Sequence, residues 1–210
     1  MAATVFEWIF HLDTHLAALA AQHGVGVYLI LAAVIFVETG LVVMPFLPGD
    51  SLLFVAGALA AGGALNLATL IVTLAAAAII GDGVNFAIGA WCDHHLAEKG
   101  KIPWIKTAHL DKTRSFFQRH GRKTIILARF VPIVRTLAPF VAALGHMPYP
   151  VFLLYNAVGG VMWVAVITGA GFLFGQVHWI QANLTVVLLG VVVISILPAA
   201  FEWWRARGSR

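Results

Sequence analysis

Hydrophobic residues dominate the chain in five long stretches that polar segments separate. The stretches cover residues 25–62, 67–91, 124–145, 151–175 and 183–204. Residues 67–91 and 151–175 have the length of a bilayer crossing, and 183–204 carries no charge until Glu202. Because about 20 apolar residues span the hydrocarbon core as a helix, the pattern predicts three transmembrane helices.

The other two stretches, 25–62 and 124–145, are interrupted by proline and glycine. The interruptions contain Pro45, Pro48 and Gly49 in the first stretch and Pro132 and Pro139 in the second. Proline lacks the backbone N–H and clashes with the preceding turn, and glycine has a low helix propensity. Freed backbone groups are tolerated at membrane depth only where protein or a water-filled cavity surrounds them. The sequence therefore predicts that each stretch breaks and forms a re-entrant hairpin.

The composition supports a membrane protein. The chain is 61% hydrophobic and 10% charged, whereas soluble domains carry roughly 25% charged residues. A soluble fold of this length needs a polar surface that this chain does not supply. The formal net charge of +4 is concentrated in two segments that flank apolar stretches, which is typical of the cytoplasmic side of a membrane protein and not of a nucleic-acid-binding protein.

The positions of the basic residues predict a topology. The basic segment 93–123 reads as an amphipathic stretch on the anionic cytoplasmic leaflet, and the basic tail 205–210 also favours the cytoplasm. If both segments are cytoplasmic, the chain must cross the membrane an even number of times between them. Three apolar stretches lie between them, so one of the three does not cross. The stretch 124–145 should therefore enter from the cytoplasm and return. Residues 25–62 are expected to form the opposite hairpin, which enters from the exterior, and residues 4–22 are expected to form a surface helix that is not removed as a signal peptide.

The two interrupted stretches also resemble each other. Phe46-Leu47-Pro48 matches Phe130-Val131-Pro132, and a full apolar span follows each stretch. Hairpin plus helix, repeated from opposite faces, is an arrangement found in inverted-repeat transporters. The predicted fold is an all-α polytopic membrane protein with an inverted repeat of re-entrant hairpin plus transmembrane helix, and one additional C-terminal transmembrane helix.

Five charged residues lie where the bilayer core is expected. They are Glu38, Asp50, Asp82, Arg129 and Arg135. Each costs about 2.5–3.5 kcal/mol at mid-membrane on insertion scales, so we expect mutual pairing or a wet cavity. Three acids against two bases leave one acid without a partner, and such a carboxylate can bind a proton reversibly. Glu38 and Asp82 are the candidates.

Two interpretations of these charges stay open. Arginine presents a planar fork that suits phosphate or carboxylate, which favours Arg129 and Arg135 as ligands of an anion. Alternatively, all five residues form buried salt bridges that fix the hairpins.

The sequence contains no motif that is typical of an enzyme, a nucleotide-binding protein or a metal site. The chain has no Gly-rich nucleotide loop, no His-Glu-x-x-His motif and no Ser/His/acid arrangement, so we expect neither an enzyme nor a cofactor or metal. Asn85 and Asn156 are expected to form interhelical hydrogen bonds.

Four segments together resemble the signatures of the DedA family, also called SNARE-associated or VTT-domain proteins. They are residues 38–40 (Glu-Thr-Gly), residues 45–53, Gly81-Asp82 and residues 129–139. The resemblance implies a lipid transporter with two opposed re-entrant hairpins, membrane-embedded acids and arginines, and a role in moving undecaprenyl phosphate or phospholipids that depends on the proton-motive force. One difference is that residues 140–145 lack the small Ala-Gly pair that is usual in the family.

The sequence thus predicts a non-enzymatic, proton-coupled lipid translocase of the bacterial inner membrane. Its partners are an anionic lipid and protons, and a homo-oligomer stays open. The main alternative is a proton-coupled transporter of a small soluble solute. Less favoured alternatives are a lipid phosphatase and a purely structural membrane protein.

Overall fold

The computed structural model describes residues 25–41, 49–97, 123–130 and 132–177. These residues form six helices: α1 (Gly26–Gly40), α2 (Gly49–Ala61), α3 (Leu67–Ala97), α4 (Thr124–Ala128), α5 (Pro132–Leu144) and α6 (Tyr149–Phe174). No β-strand occurs in the part of the chain that is described, in agreement with the predicted all-α fold. The predicted helices at 4–22 and 183–204, and most of the basic segment 93–123, lie outside the described residues.

Helices α3 and α6 are the two described helices that are long and apolar enough to cross a membrane. They correspond to the predicted spans 67–91 and 151–175, although α3 continues to Ala97. Helices α1, α2 and α5 are apolar but have only 15, 13 and 13 residues. Thirteen helical residues extend over about 20 Å, which is shorter than the roughly 30 Å hydrocarbon core.

The first interrupted stretch forms α1 and α2. The start of α1 and the end of α2, here called their outer ends, lie together. Helix α1 ends at Gly40 and α2 begins at Gly49, while Pro45 and Pro48 lie outside the described residues. The hydroxyl of Tyr28, near the start of α1, accepts a 2.7 Å hydrogen bond from the backbone N–H of Asn66. Asn66 follows α2 and precedes α3, so the start of α1 and the end of α2 lie near the N-terminal end of α3.

The second interrupted stretch forms α4 and α5. Their outer ends, the start of α4 and the end of α5, lie at the opposite end of α3. Ile125 of α4 and Ala142 of α5 belong to one buried cluster with Phe86 of α3 and Phe152 of α6. The Phe86 and Phe152 rings stack with centroids 4.4 Å apart. This cluster holds the start of α4 and the end of α5 beside the C-terminal part of α3.

The two prolines of the second stretch behave differently. Pro132 is the first residue of α5, where the missing N–H removes no helical hydrogen bond. The predicted break at Pro139 is wrong, because α5 runs through this residue. Pro139 still withholds an N–H from the carbonyl of Arg135, four residues earlier. Packing of α5 along α3 maintains the helix despite that loss, since tertiary contacts override local propensity.

The helices pack in a crossed pattern. Helices α1 and α5 pack mainly on α3, whereas α2 and α4 pack mainly on α6. Glycines make two of these contacts close. A methyl group at Gly171 of α6 would lie 2.0 Å from the carbonyl oxygen of Phe54, and one at Gly89 of α3 would lie 2.6 Å from that of Phe140. The end of α1, the start of α2, the end of α4 and the start of α5, here called the inner ends, meet between α3 and α6, as their hydrogen bonds show.

Candidate functional site

The five charged residues predicted to lie in the bilayer core come together at this meeting point. Glu38 is near the end of α1, Asp50 is in the first turn of α2, and Asp82 is in the middle of α3. Arg129 follows α4 and Arg135 is in the first turn of α5. Glu38, Asp82 and Arg129 are at most 5% exposed, so the group is removed from solvent.

Arg135 is shared between two carboxylates. Its Nη1 donates to Oδ1 of Asp50 at 2.7 Å, and its Nη2 donates to Oε1 of Glu38. The guanidinium carbon also lies 4.8 Å from the centre of the Trp163 ring, within the range of a cation–π contact. The indole Nε1 of Trp163 donates to the same Asp50 oxygen at 2.9 Å. One arginine from α5 therefore joins α1, α2 and α6.

Gly49 permits the position of Glu38. A methyl group at Gly49, the first residue of α2, would lie 1.9 Å from Oε2 of Glu38. That carboxylate oxygen is buried and lies against the backbone at the start of α2. Because no larger residue fits here without displacing the acid, the glycine at the start of α2 is a requirement of the site as well as a helix terminus.

Arg129 forms a second cluster with different partners. Its Nη2 donates to Oδ2 of Asp82 and to Oδ1 of Asn156. Two glycines of α6 make room for the side chain: methyl groups there would lie 3.1 Å from Cδ of Arg129 at Gly159 and 3.3 Å from its Cζ at Gly160. Arg129 is thus enclosed by α3 and α6, with its charged end held from two sides.

Two asparagines connect the clusters to the backbone. Asn85 of α3 donates to the carbonyl of Thr39 at 3.0 Å and to that of Thr136 at 2.9 Å. Asn156 of α6 donates to the carbonyl of Ile79 at 3.0 Å. The expectation that both asparagines form interhelical hydrogen bonds is confirmed. Asn85 fixes the end of α1 and the start of α5 to the same point of α3.

A small cavity separates the two arginine clusters. It is lined by Thr39, Asp82, Arg129, Arg135, Thr136 and Trp163, and its volume is about 10 Å³. That is the lower limit of the space that one water molecule needs. Both arginines therefore face a common space, but the space is too small for a phosphate group. In this structure the acids themselves occupy the anion-binding positions of Arg135.

The structure corrects the expected pairing. We expected one acid to lack a partner, with Glu38 and Asp82 as candidates, but each of the three acids contacts an arginine. The expectation is wrong because a guanidinium has two terminal nitrogens, and Arg135 uses Nη1 for Asp50 and Nη2 for Glu38. No group of three His, Cys, Asp or Glu side chains suited to a metal occurs among the described residues.

Sequence reasoning missed Trp163. Tryptophan is normally enriched at the membrane interfaces, whereas Trp163 lies in the middle of a 26-residue apolar helix and is 1% exposed. That unusual depth was a usable signal, because a buried indole N–H requires an acceptor.

Comparisons with known proteins agree with the signatures in the sequence. The VTT domain family model matches residues 47–173. The chain is 50% identical to protein DedA of Escherichia coli (strain K12) over 200 residues, which cover 94% of this chain and 91% of the relative. It is 40% identical to an uncharacterized membrane protein of Mycobacterium leprae (strain TN) over 177 residues, which cover 84% and 79%. It is 33% identical to inner membrane protein YghB of Escherichia coli (strain K12) over 181 residues, which cover 86% and 83%. No solved structure gives a significant match.

Proposed function

Because this chain belongs to the DedA family of membrane proteins, which the VTT domain describes, we propose that it translocates an anionic lipid across the bacterial inner membrane in a reaction that depends on the proton-motive force. The proposed cargo is undecaprenyl phosphate or another anionic phospholipid. The inner-membrane location follows from the names of relatives such as YghB. The C-terminus is proposed to face the cytoplasm, as the basic tail suggests.

The observation that carries this proposal is the shared arginine. Arg135 holds two carboxylates, Glu38 and Asp50, in a buried position between helices. A phosphate that replaces these acids on Arg135 leaves two buried carboxylates without their cation. Since an isolated buried carboxylate is very unfavourable as an anion, protons are the natural replacement. Anion binding and proton binding are thereby linked at one residue.

The electrostatic balance of the site fits this exchange. With all five groups ionised, three acids and two arginines give the site a net charge of −1. An entering phosphate adds further negative charge in a region where water does not compensate for it. Uptake of protons by the carboxylates offsets this added charge as the phosphate binds. Arg129 faces the same cavity and is the proposed second ligand of the phosphate.

The arrangement of the helices supports alternating access. The outer ends of α1 and α2 lie at one end of α3, and those of α4 and α5 lie at the other. In each half the first short helix packs on the long helix that follows it, and the second packs on the long helix of the other half. We propose that these are two opposed re-entrant hairpins related by an inverted repeat, and that their relative movement opens the small cavity to either face.

Reconstituted liposomes test the function. The purified protein is incorporated into vesicles with a labelled polyprenyl phosphate in one leaflet, and appearance of the label in the other leaflet is followed with and without an imposed pH gradient. We expect translocation that the gradient accelerates and that Glu38→Gln abolishes. Asp93→Asn is the matched control, because Asp93 pairs with His146 at 2.9 Å outside the cavity.

Two results would contradict the proposal. Equal translocation with empty vesicles would exclude lipid movement by the protein. Proton-coupled uptake of a soluble phosphate or carboxylate compound, without lipid translocation, would instead favour the small-solute transporter.

A further inference from the structure

Asn85 lies between two glycines on one face of α3. Gly81, Asn85 and Gly89 are four residues apart, so they follow one another along the same side of the helix. A methyl group at Gly81 would lie 2.1 Å from Oγ1 of Thr39, in α1. A methyl group at Gly89 would lie 2.6 Å from the carbonyl oxygen of Phe140, in α5. The two glycines therefore admit α1 and α5 at neighbouring places on α3, and Asn85 lies between these places.

The side-chain amide of Asn85 contacts the backbone of both interrupted stretches through one nitrogen. Nδ2 donates to the carbonyl of Thr39 at 3.0 Å and to that of Thr136 at 2.9 Å. Because an amide nitrogen carries two hydrogens, these two bonds use both. Thr39 is in the last turn of α1, where carbonyls have no partner within the helix. Asn85 is fully buried, so loss of its amide would leave this carbonyl without a donor in a dry place.

Each of the two carbonyls belongs to a residue that directly follows a charged one. Thr39 follows Glu38 in α1. Thr136 follows Arg135 in α5, and Nη2 of Arg135 donates to Oε1 of Glu38. One nitrogen of α3 therefore fixes the backbone beside both members of this ion pair. Fixing the backbone limits how far the carboxylate and the guanidinium can move apart.

We propose that Asn85 is a positioning residue that holds Glu38 against Arg135. It thereby sets how strongly this acid competes with the anionic group of the cargo for the guanidinium. The inference rests on the proposed function, because it assigns Arg135 to the cargo. A phosphate must displace the carboxylate to reach Nη2 of Arg135. When the two backbones are already held together, the ion pair loses less entropy on forming and is harder to displace.

Helix packing alone does not account for an asparagine at this position. A leucine of similar size would fill the space between the helices without a buried polar group. The amide carries a cost as well, since Oδ1 of Asn85 is buried and accepts no hydrogen bond from the described residues. The two hydrogen bonds that Nδ2 donates are therefore the property that distinguishes asparagine from an apolar residue here.

The first test is Asn85→Leu in liposomes. The concentration of labelled polyprenyl phosphate that gives half-maximal translocation, KM, is measured together with the maximal rate. We expect KM to fall about fivefold, the change expected for one net hydrogen bond, because the phosphate displaces a more weakly held carboxylate. A residue that only stabilises the fold would lower the maximal rate and leave KM unchanged. An unchanged or raised KM would overturn the proposal.

Asn66→Ala is the matched control, because Asn66 also holds backbone with its side chain but lies in the exposed loop before α3. Its Oδ1 accepts a 3.0 Å hydrogen bond from the backbone N–H of Thr69. We expect this variant to lower Tm and to leave KM unchanged, and an equal fall in KM would overturn the proposal. If Asn85→Leu gives no folded protein, Asn85→Ser replaces it. A hydroxyl has one hydrogen and can hold only one carbonyl at a time, so KM should fall less but still fall.

A double-mutant cycle tests the same link without any transport assay. Thermal unfolding in detergent is compared for the wild type, Asn85→Leu, Glu38→Gln and the double variant. If Asn85 acts through the ion pair, Asn85→Leu lowers Tm more in the wild type than in the Glu38→Gln background, where no ion pair with Arg135 forms. Additive effects would overturn the proposal. A wild type that moves no lipid would reject the proposed function, while this cycle would still decide whether Asn85 holds the ion pair.

Discussion

Arg135 pairs with Asp50 across 85 positions of the chain, with Nη1 2.7 Å from Oδ1. The same guanidinium reaches Glu38, so one cation of the second interrupted stretch holds two acids of the first. Because removal of one partner of a buried ion pair costs about 3–5 kcal/mol, the two stretches depend on each other for stability.

The topology can be tested by cysteine labelling. Ala64 lies in the exposed loop before α3, and exposed Tyr149 begins α6. With two opposed re-entrant hairpins, these positions face opposite sides of the membrane, and Gly100 faces the same side as Tyr149. We expect a membrane-impermeant maleimide to label Ala64→Cys from the exterior, and Tyr149→Cys and Gly100→Cys only after the membrane is opened. The background variant lacks Cys92. Labelling of Tyr149→Cys from the exterior would reject the second hairpin.

Glu38→Gln tests the proton pathway. Glutamine keeps the shape of the side chain and its contact with Arg135 but cannot exchange a proton, so we expect normal insertion and loss of proton-driven translocation. Any residual activity should not change with an imposed pH gradient. Translocation is measured in liposomes over a range of pH values, and insertion is checked by the yield of folded protein. Full activity at every pH would remove Glu38 from the pathway and leave Asp50 or Asp82.

The sequence predicted the helical class, the two long spans and the residues of the charged group, because each rests on local properties such as apolar length and the cost of a charge in lipid. The sharing of Arg135 between two acids was not predictable, since a count of charges ignores that the two terminal nitrogens of one guanidinium can each bind a carboxylate. The continuation of α5 through Pro139 depends on packing against α3, which no local pattern contains. The contacts of Trp163 with Asp50 and Arg135 also required coordinates, although its depth in the span was visible.

Glycine contacts between α2 and α6 should be sensitive to a single methyl group. At Gly171 a methyl group would lie 2.0 Å from the carbonyl oxygen of Phe54, whereas at Gly169, two residues earlier, nothing lies within 4 Å. We expect Gly171→Ala to destabilise the protein by about 1–3 kcal/mol through overpacking. Gly169→Ala should instead be neutral or stabilising by about 0.5–1 kcal/mol, because alanine favours a helix. Thermal unfolding in detergent compares the two, and similar effects would contradict this α2–α6 contact.

Lysine substitutions separate anion recognition from simple pairing, because the two arginines use their forks differently. Arg135 donates from Nη1 and Nη2 to two different acids, whereas both hydrogen bonds of Arg129 come from Nη2. A lysine ammonium is a point charge without a fork, so it replaces a single donor better than a double one. We expect Arg135→Lys to fold and to move phosphate lipids poorly, with a smaller defect for zwitterionic lipids. Arg129→Lys should change the ratio of phosphate-lipid to zwitterionic-lipid translocation less than Arg135→Lys does.

A charge exchange provides the decisive comparison for the same pair. If Arg135 and Asp50 serve only to hold the helices together, the double variant Arg135→Asp/Asp50→Arg keeps one cation and one acid in contact and should recover translocation. If Arg135 binds the phosphate from its place beside Glu38 and over the Trp163 ring, the exchanged cation starts from α2 and lies elsewhere. We therefore expect the exchange to restore Tm in detergent without restoring lipid translocation. A double variant that translocates phosphate lipid at the wild-type rate would show that the pair is structural and would reject the anion site.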